Sequence, residues 1–129
     1  MNAAQWTTGL AHVGIPTADM DRCIAFYTGL GFEVAHETID PSCGARVTFL
    51  TLGNLMIETY EGAANPVNGA VDHFAIDTTD LDAAFAWVKE NGYTILSNDI
   101  EALPFWENGV RFFIIEGPNK ERIEFCHKN

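Results

Sequence analysis

The chain has 129 residues, a length that suits a single domain with a sizeable core. Its 18 acidic and 7 basic residues give a net charge of −11, which repels nucleic-acid phosphates and anionic membrane faces. The sequence has no apolar run long enough to cross a bilayer and no signal-peptide pattern. We therefore expect a cytoplasmic protein that binds neither nucleic acid nor a membrane.

The first half of the chain predicts one helix among several strands. Alternating side chains predict a strand over residues 10–15, and Asp19 supplies the capping residue of a helix that runs to Leu30. Further strands are predicted from Phe32, over Arg46–Leu52 and over Leu55–Tyr60, the last two joined by a tight turn at Gly53-Asn54.

A segment rich in small and turn residues, 61–69, is expected to link this half to a second half with the same order of elements. There we predict a strand over 71–77 and a helix from about Asp80 to Asn91, with Gly92 at its C-terminal cap. Later strands are predicted over Tyr93–Leu96, Val110–Ile115 and Arg122–Cys126, with an irregular segment at 98–108 and a turn at 117–120.

The predicted class is therefore α+β, a single domain of residues 1–129 made of two βαβββ modules. Module one spans about 9–60 and module two about 70–127. In the last strand of each module, glutamate alternates with apolar residues, whose face should pack on the helices. The glutamate face then lines the hollow of a cupped mixed sheet that has its helices on the outer face.

The two halves repeat residues that can ligate a metal. His12 returns as His73 (73 − 12 = 61), and Glu58 returns as Glu124 (124 − 58 = 66). Two imidazoles and two carboxylates suit one divalent ion such as Ni²⁺, Zn²⁺, Co²⁺, Mn²⁺ or Fe²⁺, and they leave positions open for substrate if the ion is octahedral. Taken singly, such residues are usually hydrogen-bonded or solvated. Their recurrence at matched places is what favours a metal site.

Other side chains are weaker candidates for a substrate pocket. Trp106 and Phe105 lie in the irregular segment, where they either cover a substrate or pack over the sheet edge. Arg111 could meet an anionic substrate, although a strand arginine is more often solvated or ion-paired. Cys126 shares a face with Glu124 and either lines the pocket or fills a small buried space. The three cysteines lack Cys-x-x-Cys spacing and are expected to be reduced thiols.

The sequence resembles the vicinal oxygen chelate superfamily, which contains glyoxalase I, bleomycin resistance proteins and ring-cleaving dioxygenases. The resemblance rests on four stretches: Leu10-Ala11-His12-Val13-Gly14-Ile15, Asp21–Phe32 with its Gly29-Leu30-Gly31, Val71-Asp72-His73-Phe74-Ala75-Ile76, and Gly117-Pro118-Asn119 followed by Ile123-Glu124. It implies paired βαβββ units that form a cupped sheet around a divalent metal, a small-molecule substrate, and a homodimer. Whether such a site lies within one chain or is shared between two is left open.

Glu58 separates the possible activities within that family. The set His12, His73 and Glu124 resembles the ligand set of the family's dioxygenases and fosfomycin enzymes. Glu58 resembles the additional glutamate that glyoxalase I has in the last strand of its first unit. The resemblance thus implies a lyase that acts on the hemithioacetal of a 2-oxoaldehyde, with Glu58 or Glu124 moving a proton between adjacent carbons. Pro16 and Gly62 depart from that pattern where glyoxalase I often has a basic residue and an asparagine. The identity of the thiol is left open.

Two alternatives remain at the level of sequence. One is an Fe²⁺ extradiol dioxygenase that uses His12, His73 and Glu124, an activity that gives Glu58 no role. The other is a metal-free binding protein for a drug or metabolite, in which Trp106 and Phe105 stack on the ligand.

Overall fold

The computed structural model of the protein describes residues 3–5, 8, 10–62, 69 and 71–129. The contacts along the chain divide it into two compact units, residues 1–64 and residues 65–129. Each unit has a mixed β-sheet with one α-helix packed against it, which confirms the predicted α+β class. No helix among the described residues combines the length and hydropathy needed to span a bilayer.

Unit one contains a four-stranded sheet in the order β1-β4-β3-β2. After a 3₁₀ helix at Ala3–Gln5, its elements are β1 (Val13–Thr17), α1 (Met20–Leu30), β2 (Glu33–Ile39), β3 (Arg46–Leu52) and β4 (Leu55–Glu61). The β1 and β4 strands pair in parallel, and the other pairs are antiparallel. The helix contacts β2, β3 and β4, so it covers one face of this sheet.

Unit two repeats this arrangement with one additional strand. Its elements are β5 (His73–Asp77), α2 (Leu81–Glu90), β6 (Thr94–Ile95), β7 (Glu101–Leu103), β8 (Val110–Glu116) and β9 (Arg122–Lys128). The strand order is β5-β9-β8-β6, and β7 also pairs with β8. The β5 and β9 strands are parallel, as β1 and β4 are in unit one.

The core of each unit lies between the helix and one face of the last strand. In unit one, Ile57 and Thr59 of β4 are fully buried, and the Cys23 thiol of α1 lies 3.3 Å from the Thr59 hydroxyl. In unit two, Ile123 of β9 is fully buried together with Val88 of α2. The predicted alternation is thereby confirmed, because the residues between these buried ones must point to the opposite face.

Both helices begin at the aspartate that the sequence predicts. The Asp19 carboxylate accepts a hydrogen bond from the Arg22 amide at 3.1 Å, and the Asp80 carboxylate accepts one from the Ala83 amide at 3.0 Å. Gly31 ends α1 with a φ of 109°, a conformation that side chains with a Cβ rarely adopt. The cap of α2 is Asn91 rather than Gly92, which lies one residue further on.

The first strand of unit one begins later than the sequence predicts. Its ladder with β4 starts at the pair Val13 and Ile57, so residues 10–12 precede the strand, and it continues to Thr17. Pro16 is tolerated within it because β1 is an edge strand, where a missing amide donor breaks no central ladder.

Two other predicted boundaries change for similar reasons. Glu61 ends β4 instead of opening the linker, and its carboxylate accepts the Arg46 amide at 2.7 Å. Residues 63–68 of that predicted linker lie outside the described residues. The segment 98–108 is not wholly irregular, since β7 within it pairs with β8. Three residues are too few to show a clear alternating pattern in the sequence.

The length difference between the units arises mainly before β8. Phe49 lies opposite Glu58 and Ile114 lies opposite Glu124, so Phe49 and Ile114 are matching positions whose residue numbers differ by 65 (114 − 49 = 65). Matching positions differ by 61 before β7 and by 66 at the two glutamates. Unit two therefore has about four more residues around β7 and about one more in the hairpin that follows β8.

The two helix caps predict equal losses of stability. Asp19→Ala and Asp80→Ala should each lower the free energy of unfolding by about 1 kcal/mol, because each leaves a helix-terminal amide without its acceptor. Urea unfolding followed by circular dichroism measures this loss. Glu90→Ala, an exposed change at the other end of α2, is the control and should leave the unfolding midpoint nearly unchanged. A cap variant as stable as this control would contradict the prediction.

Candidate metal centre

The parallel pairing of β1 and β4 brings His12 and Glu58 together in unit one. Gly14 lies directly opposite Glu58 in this ladder. His12 lies two residues before Gly14, immediately ahead of β1, and its side chain turns to the face that carries Glu58. The imidazole Nε2 of His12 lies 3.5 Å from the Oε1 of Glu58.

Unit two repeats this pair through the same register. Ala75 lies opposite Glu124 in the β5–β9 ladder, and His73 precedes Ala75 by two residues. The Nε2 of His73 lies 3.6 Å from the Oε1 of Glu124. Each unit thus presents one imidazole and one carboxylate as neighbours.

These four side chains lie on the face that the helices leave uncovered. The side chains of His12 and His73 are 39% and 40% exposed, and those of Glu58 and Glu124 are 28% and 18% exposed. The intervening Ile57 and Ile123 are buried beneath the helices. A ligand can therefore reach both His–Glu pairs from solvent, while the strands that carry them are anchored from behind.

The separation within each pair suits two ligands of one cation. Adjacent donors about 2.1 Å from a divalent ion stand about 3.0 Å apart in octahedral and about 3.4 Å apart in tetrahedral coordination. The observed separations of 3.5 and 3.6 Å therefore need only a small side-chain movement to match either geometry. The separations are too long for strong hydrogen bonds, so the donor atoms are not committed to each other. Among the residues that the structure describes, no group of three or more potential ligands is found, and the contacts it shows are two separate His–Glu pairs, one in each unit.

Aromatic side chains flank the pair in unit one. The ring of His12 meets the ring of Phe49 edge to face, with centroids 5.7 Å apart. Phe49 lies opposite Glu58 in the ladder, and its other neighbour is His36, at a centroid distance of 6.1 Å. His36 belongs to the exposed strand β2 and is a surface residue.

The pair in unit two adjoins an open cleft of about 600 Å³. Its lining includes Ala75, Asp77, Cys126 and Lys128, which share the face of Glu124 by their register positions. Burial raises the pKa of the Cys126 thiol, and the carboxylates of Glu124 and Asp77 raise it further. Cys126 therefore lines the cleft as a neutral thiol at physiological pH.

The two aromatic candidates of the irregular segment are exposed. Trp106 is 67% exposed and Phe105 is 56% exposed. The Lys128 ammonium lies 3.8 Å from the centroid of the Trp106 ring, a cation–π contact that holds this ring at the end of β9. Trp106 is thereby placed beside the cleft residue Lys128, and a role in substrate binding stays a prediction.

Arg111 lies on the opposite face of its sheet from Glu124, so this unit does not support its predicted place in the substrate pocket. It pairs with His127 in the β8–β9 ladder and therefore points to the helix side, opposite to Glu124. There its guanidinium donates to both carboxylate oxygens of Asp82, at 2.7 and 3.2 Å. Arg46 and Asp21 form the matching ion pair in unit one. The alternation of strand residues predicts this direction once the register of β8 is known.

Two residues at the site had no role in the sequence-based prediction. The Oδ2 of Asp72 lies within hydrogen-bond distance of the Nδ1 of His73, at 2.8 Å, and Phe49 packs on His12. Adjacent residues in a strand point to opposite faces, so strand periodicity does not predict a contact between Asp72 and His73. The contact forms because Asp72 lies just before β5 begins.

Comparison with known proteins agrees with this architecture. The family model of the glyoxalase/bleomycin resistance protein/dioxygenase superfamily matches residues 9–125. A protein of Bacillus subtilis (strain 168), YwbC, described as uncharacterized, is 31% identical over 123 residues, which cover 91% of this chain and 95% of that protein. The chain belongs to the glyoxalase/bleomycin resistance protein/dioxygenase superfamily.

Solved structures share the fold at low sequence identity. The fosfomycin resistance protein FosX of Listeria monocytogenes, solved with Mn(II) and sulfate, gives a TM-score of 0.70 at 17% identity, covering 95% of this chain and 94% of that chain. A mutant glyoxalase I of Zea mays gives 0.71 at 22% identity, covering 89% of this chain and 43% of that longer chain. These likenesses establish the fold and leave the reaction to the residues of the site.

The ion pair of Arg111 predicts a pH-dependent contribution to stability rather than a part in substrate binding. The guanidinium lowers the pKa of Asp82 in the folded state, so the pair stabilises the fold above the unfolded pKa of aspartate. This contribution is lost as pH falls through the lowered folded pKa. Arg111→Met should therefore reduce the urea midpoint at about pH 7, and the reduction should shrink towards about pH 3.

Lys89→Met, which removes a positive charge from the exposed helix surface of the same unit, controls for the change in net charge. If Arg111→Met lowered the midpoint equally at both pH values, the ion pair would not be its cause. If it weakened substrate binding while the fold stayed intact, Arg111 would belong to the substrate pocket.

Proposed function

We propose that the protein is a metal-dependent lyase of the glyoxalase I type. It binds one divalent ion per site, Ni²⁺, Zn²⁺, Co²⁺, Mn²⁺ or Fe²⁺, through His12, Glu58, His73 and Glu124. Its substrate is the hemithioacetal of a 2-oxoaldehyde and a thiol, or a similar small molecule with vicinal oxygens. The observation that carries this proposal is the repeat of one His–Glu contact in both units, at 3.5 and 3.6 Å.

The donor chemistry supports a catalytic rather than a structural ion. Structural zinc sites are usually closed by four ligands, often with cysteine among them, whereas imidazole and carboxylate sites with open positions are typical of catalysis. Glu58 contacts His12 in the same way that Glu124 contacts His73. Glu58 would therefore be a fourth ligand. A dioxygenase site of two histidines and one carboxylate does not require a fourth ligand.

The structural relatives add support of a different kind. FosX holds Mn(II) in a fold like this one, and the maize glyoxalase I shares the fold as well. Both likenesses are below 25% identity and are consistent with metal-assisted chemistry on a small molecule. They support the proposal without deciding the substrate.

The residues of the site have distinct tasks in this proposal. His12 and His73 would hold the ion through their imidazole lone pairs. When bound, the metal would supply Lewis-acid polarisation of substrate oxygens. A carboxylate, that of Glu58 or Glu124, takes the proton from one carbon of the substrate and returns it to the neighbouring carbon. The partial exposure of both glutamates keeps them within reach of a substrate in the uncovered face.

Replacement of the four ligands tests the site directly. We expect the purified protein to contain metal near stoichiometry and to consume methylglyoxal in the presence of a thiol such as glutathione or a bacterial thiol. His12→Gln and His73→Gln should each lose most of the bound metal and about a hundredfold or more of the activity. Elemental analysis and a thioester assay measure the two effects.

The same measurements distinguish the roles of the two glutamates. Glu58→Gln and Glu124→Gln keep the shape of the side chain, and the variant that retains metal but loses turnover identifies the proton-transferring carboxylate. Glu37→Gln is the control, because Glu37 lies on the exposed strand β2. This control should keep metal and activity.

Other outcomes would replace this function with another. A metal-loaded protein that takes up oxygen with catechols and ignores every thiol and 2-oxoaldehyde would be a dioxygenase. A protein that binds none of the five metals would be a binding protein rather than a metalloenzyme.

We also propose a homodimer, as the resemblance to the family implies, with the four ligands of a site drawn either from one chain or from two. Mixed refolding distinguishes these two arrangements. A variant without His12 and Glu58, and another without His73 and Glu124, are each expected to be inactive. If sites are shared between chains, mixed dimers regain one intact site of two, or about half of the activity per dimer. Mixtures that stay inactive would place each site within one chain.

A further inference from the structure

The two histidines of the candidate metal centre are not equivalent in their surroundings. In unit two, the Nδ1 of His73 lies 2.8 Å from the Oδ2 of Asp72, and the Nη1 of Arg122 lies 3.6 Å from the other oxygen of the same carboxylate. In unit one, the repeat places Ala11 where Asp72 stands and Met56 where Arg122 stands. The ring of His12 instead packs against Phe49.

The geometry around His73 selects one tautomer of the neutral ring. A separation of 2.8 Å is a hydrogen bond, whereas the 3.6 Å from Nε2 to Glu124 is not. The proton of the neutral imidazole therefore lies on Nδ1, where Asp72 accepts it. The lone pair of Nε2 is left free, and it points to the side of Glu124.

Arg122 lies beside the other oxygen of the Asp72 carboxylate. Its position opposite His73 in the β5–β9 ladder places its guanidinium there. This exposed ion pair favours the orientation in which the remaining oxygen of Asp72 faces His73. The sequence of contacts therefore runs from Arg122 through Asp72 and His73 towards Glu124.

We propose that Asp72 is a positioning residue that fixes the ring and tautomer of His73 for metal binding, and that His73 is thereby the anchoring histidine of the two. The part of this inference that concerns metal binding rests on the proposed function. The orientation of His73 rests on the contacts of Asp72. A carboxylate behind a ligating imidazole typically strengthens metal binding by about ten- to a hundredfold. His12, which has alanine in the corresponding place, binds without this support.

Ring-nitrogen NMR of the metal-free protein tests the tautomer without reference to activity. At about pH 9, where an imidazole is neutral, His73 should show a protonated Nδ1, with its signals assigned by their loss in His73→Gln. Asp72→Ala should move His73 to a mixture or to the Nε2-protonated form. A His73 that keeps its Nδ1 proton without Asp72 would overturn the inference.

Titration with Co²⁺, followed by its visible absorption, tests the consequence for the metal. Asp72→Asn should raise the dissociation constant about ten- to a hundredfold and alter the cobalt spectrum. Asp99→Asn, an exposed aspartate in the same unit, is the matched control and should bind like the wild type. Equal affinity of Asp72→Asn and wild type would overturn the inference. Asp72→Asn preserves the volume of the side chain, and its urea midpoint verifies that it folds.

The two proposals fail separately. A wild-type protein that binds no Co²⁺, Zn²⁺ or Ni²⁺ refutes the metal-dependent function, and the metal-free tautomer measurement still decides whether Asp72 orients His73. A wild type that binds metal through His73 independently of Asp72 refutes the positioning role and leaves the metal-dependent function intact.

Discussion

The candidate site depends on the parallel register between the first and the last strand of each unit. In a parallel ladder, a residue and its partner face the same side, and so does the residue two positions earlier. Gly14 opposite Glu58 therefore brings in His12, and Ala75 opposite Glu124 brings in His73. A shift of one residue would send each glutamate to the side that the helix covers, where an unpaired carboxylate is costly.

The same strands carry the core and the candidate ligands, and this arrangement accounts for the precision of the His–Glu pairs. Ile57 and Thr59 are buried against α1 and flank Glu58 along β4. Ile123 does the same for Glu124 in β9. Since a buried branched side chain has little freedom to move, the backbone that carries each glutamate is held on one face while its carboxylate stays accessible on the other.

Much of the architecture could be predicted from the sequence, because periodicity and capping are local signals. The alternation of buried and exposed residues in β4 and β9 and the caps Asp19 and Asp80 required no knowledge of tertiary contacts. The start of β1 depends instead on where its partner strand begins, and β7 is too short to show a pattern.

The orientations of the Arg111 and Asp72 side chains also could not be predicted from the sequence. Arg111 points to the helix side because of the register of β8, which a single strand does not reveal. Asp72 reaches the ring of the next residue because the chain is not yet a strand at that point, whereas a strand would separate the two. Local periodicity predicts which residue types are available, and tertiary register decides which of them meet.

The unequal lengths of the two units bear on how a duplicated fold of this kind can diverge. The additional residues of unit two lie around β7 and in one hairpin, outside the ladder that brings His73 and Glu124 together. A change of length there alters the segment that places Trp106 beside the cleft residue Lys128, and it leaves the pairing of β5 with β9 unchanged. New substrate preferences can thus be acquired in one copy of an ancestral repeat without disturbing the metal-binding chemistry proposed for both.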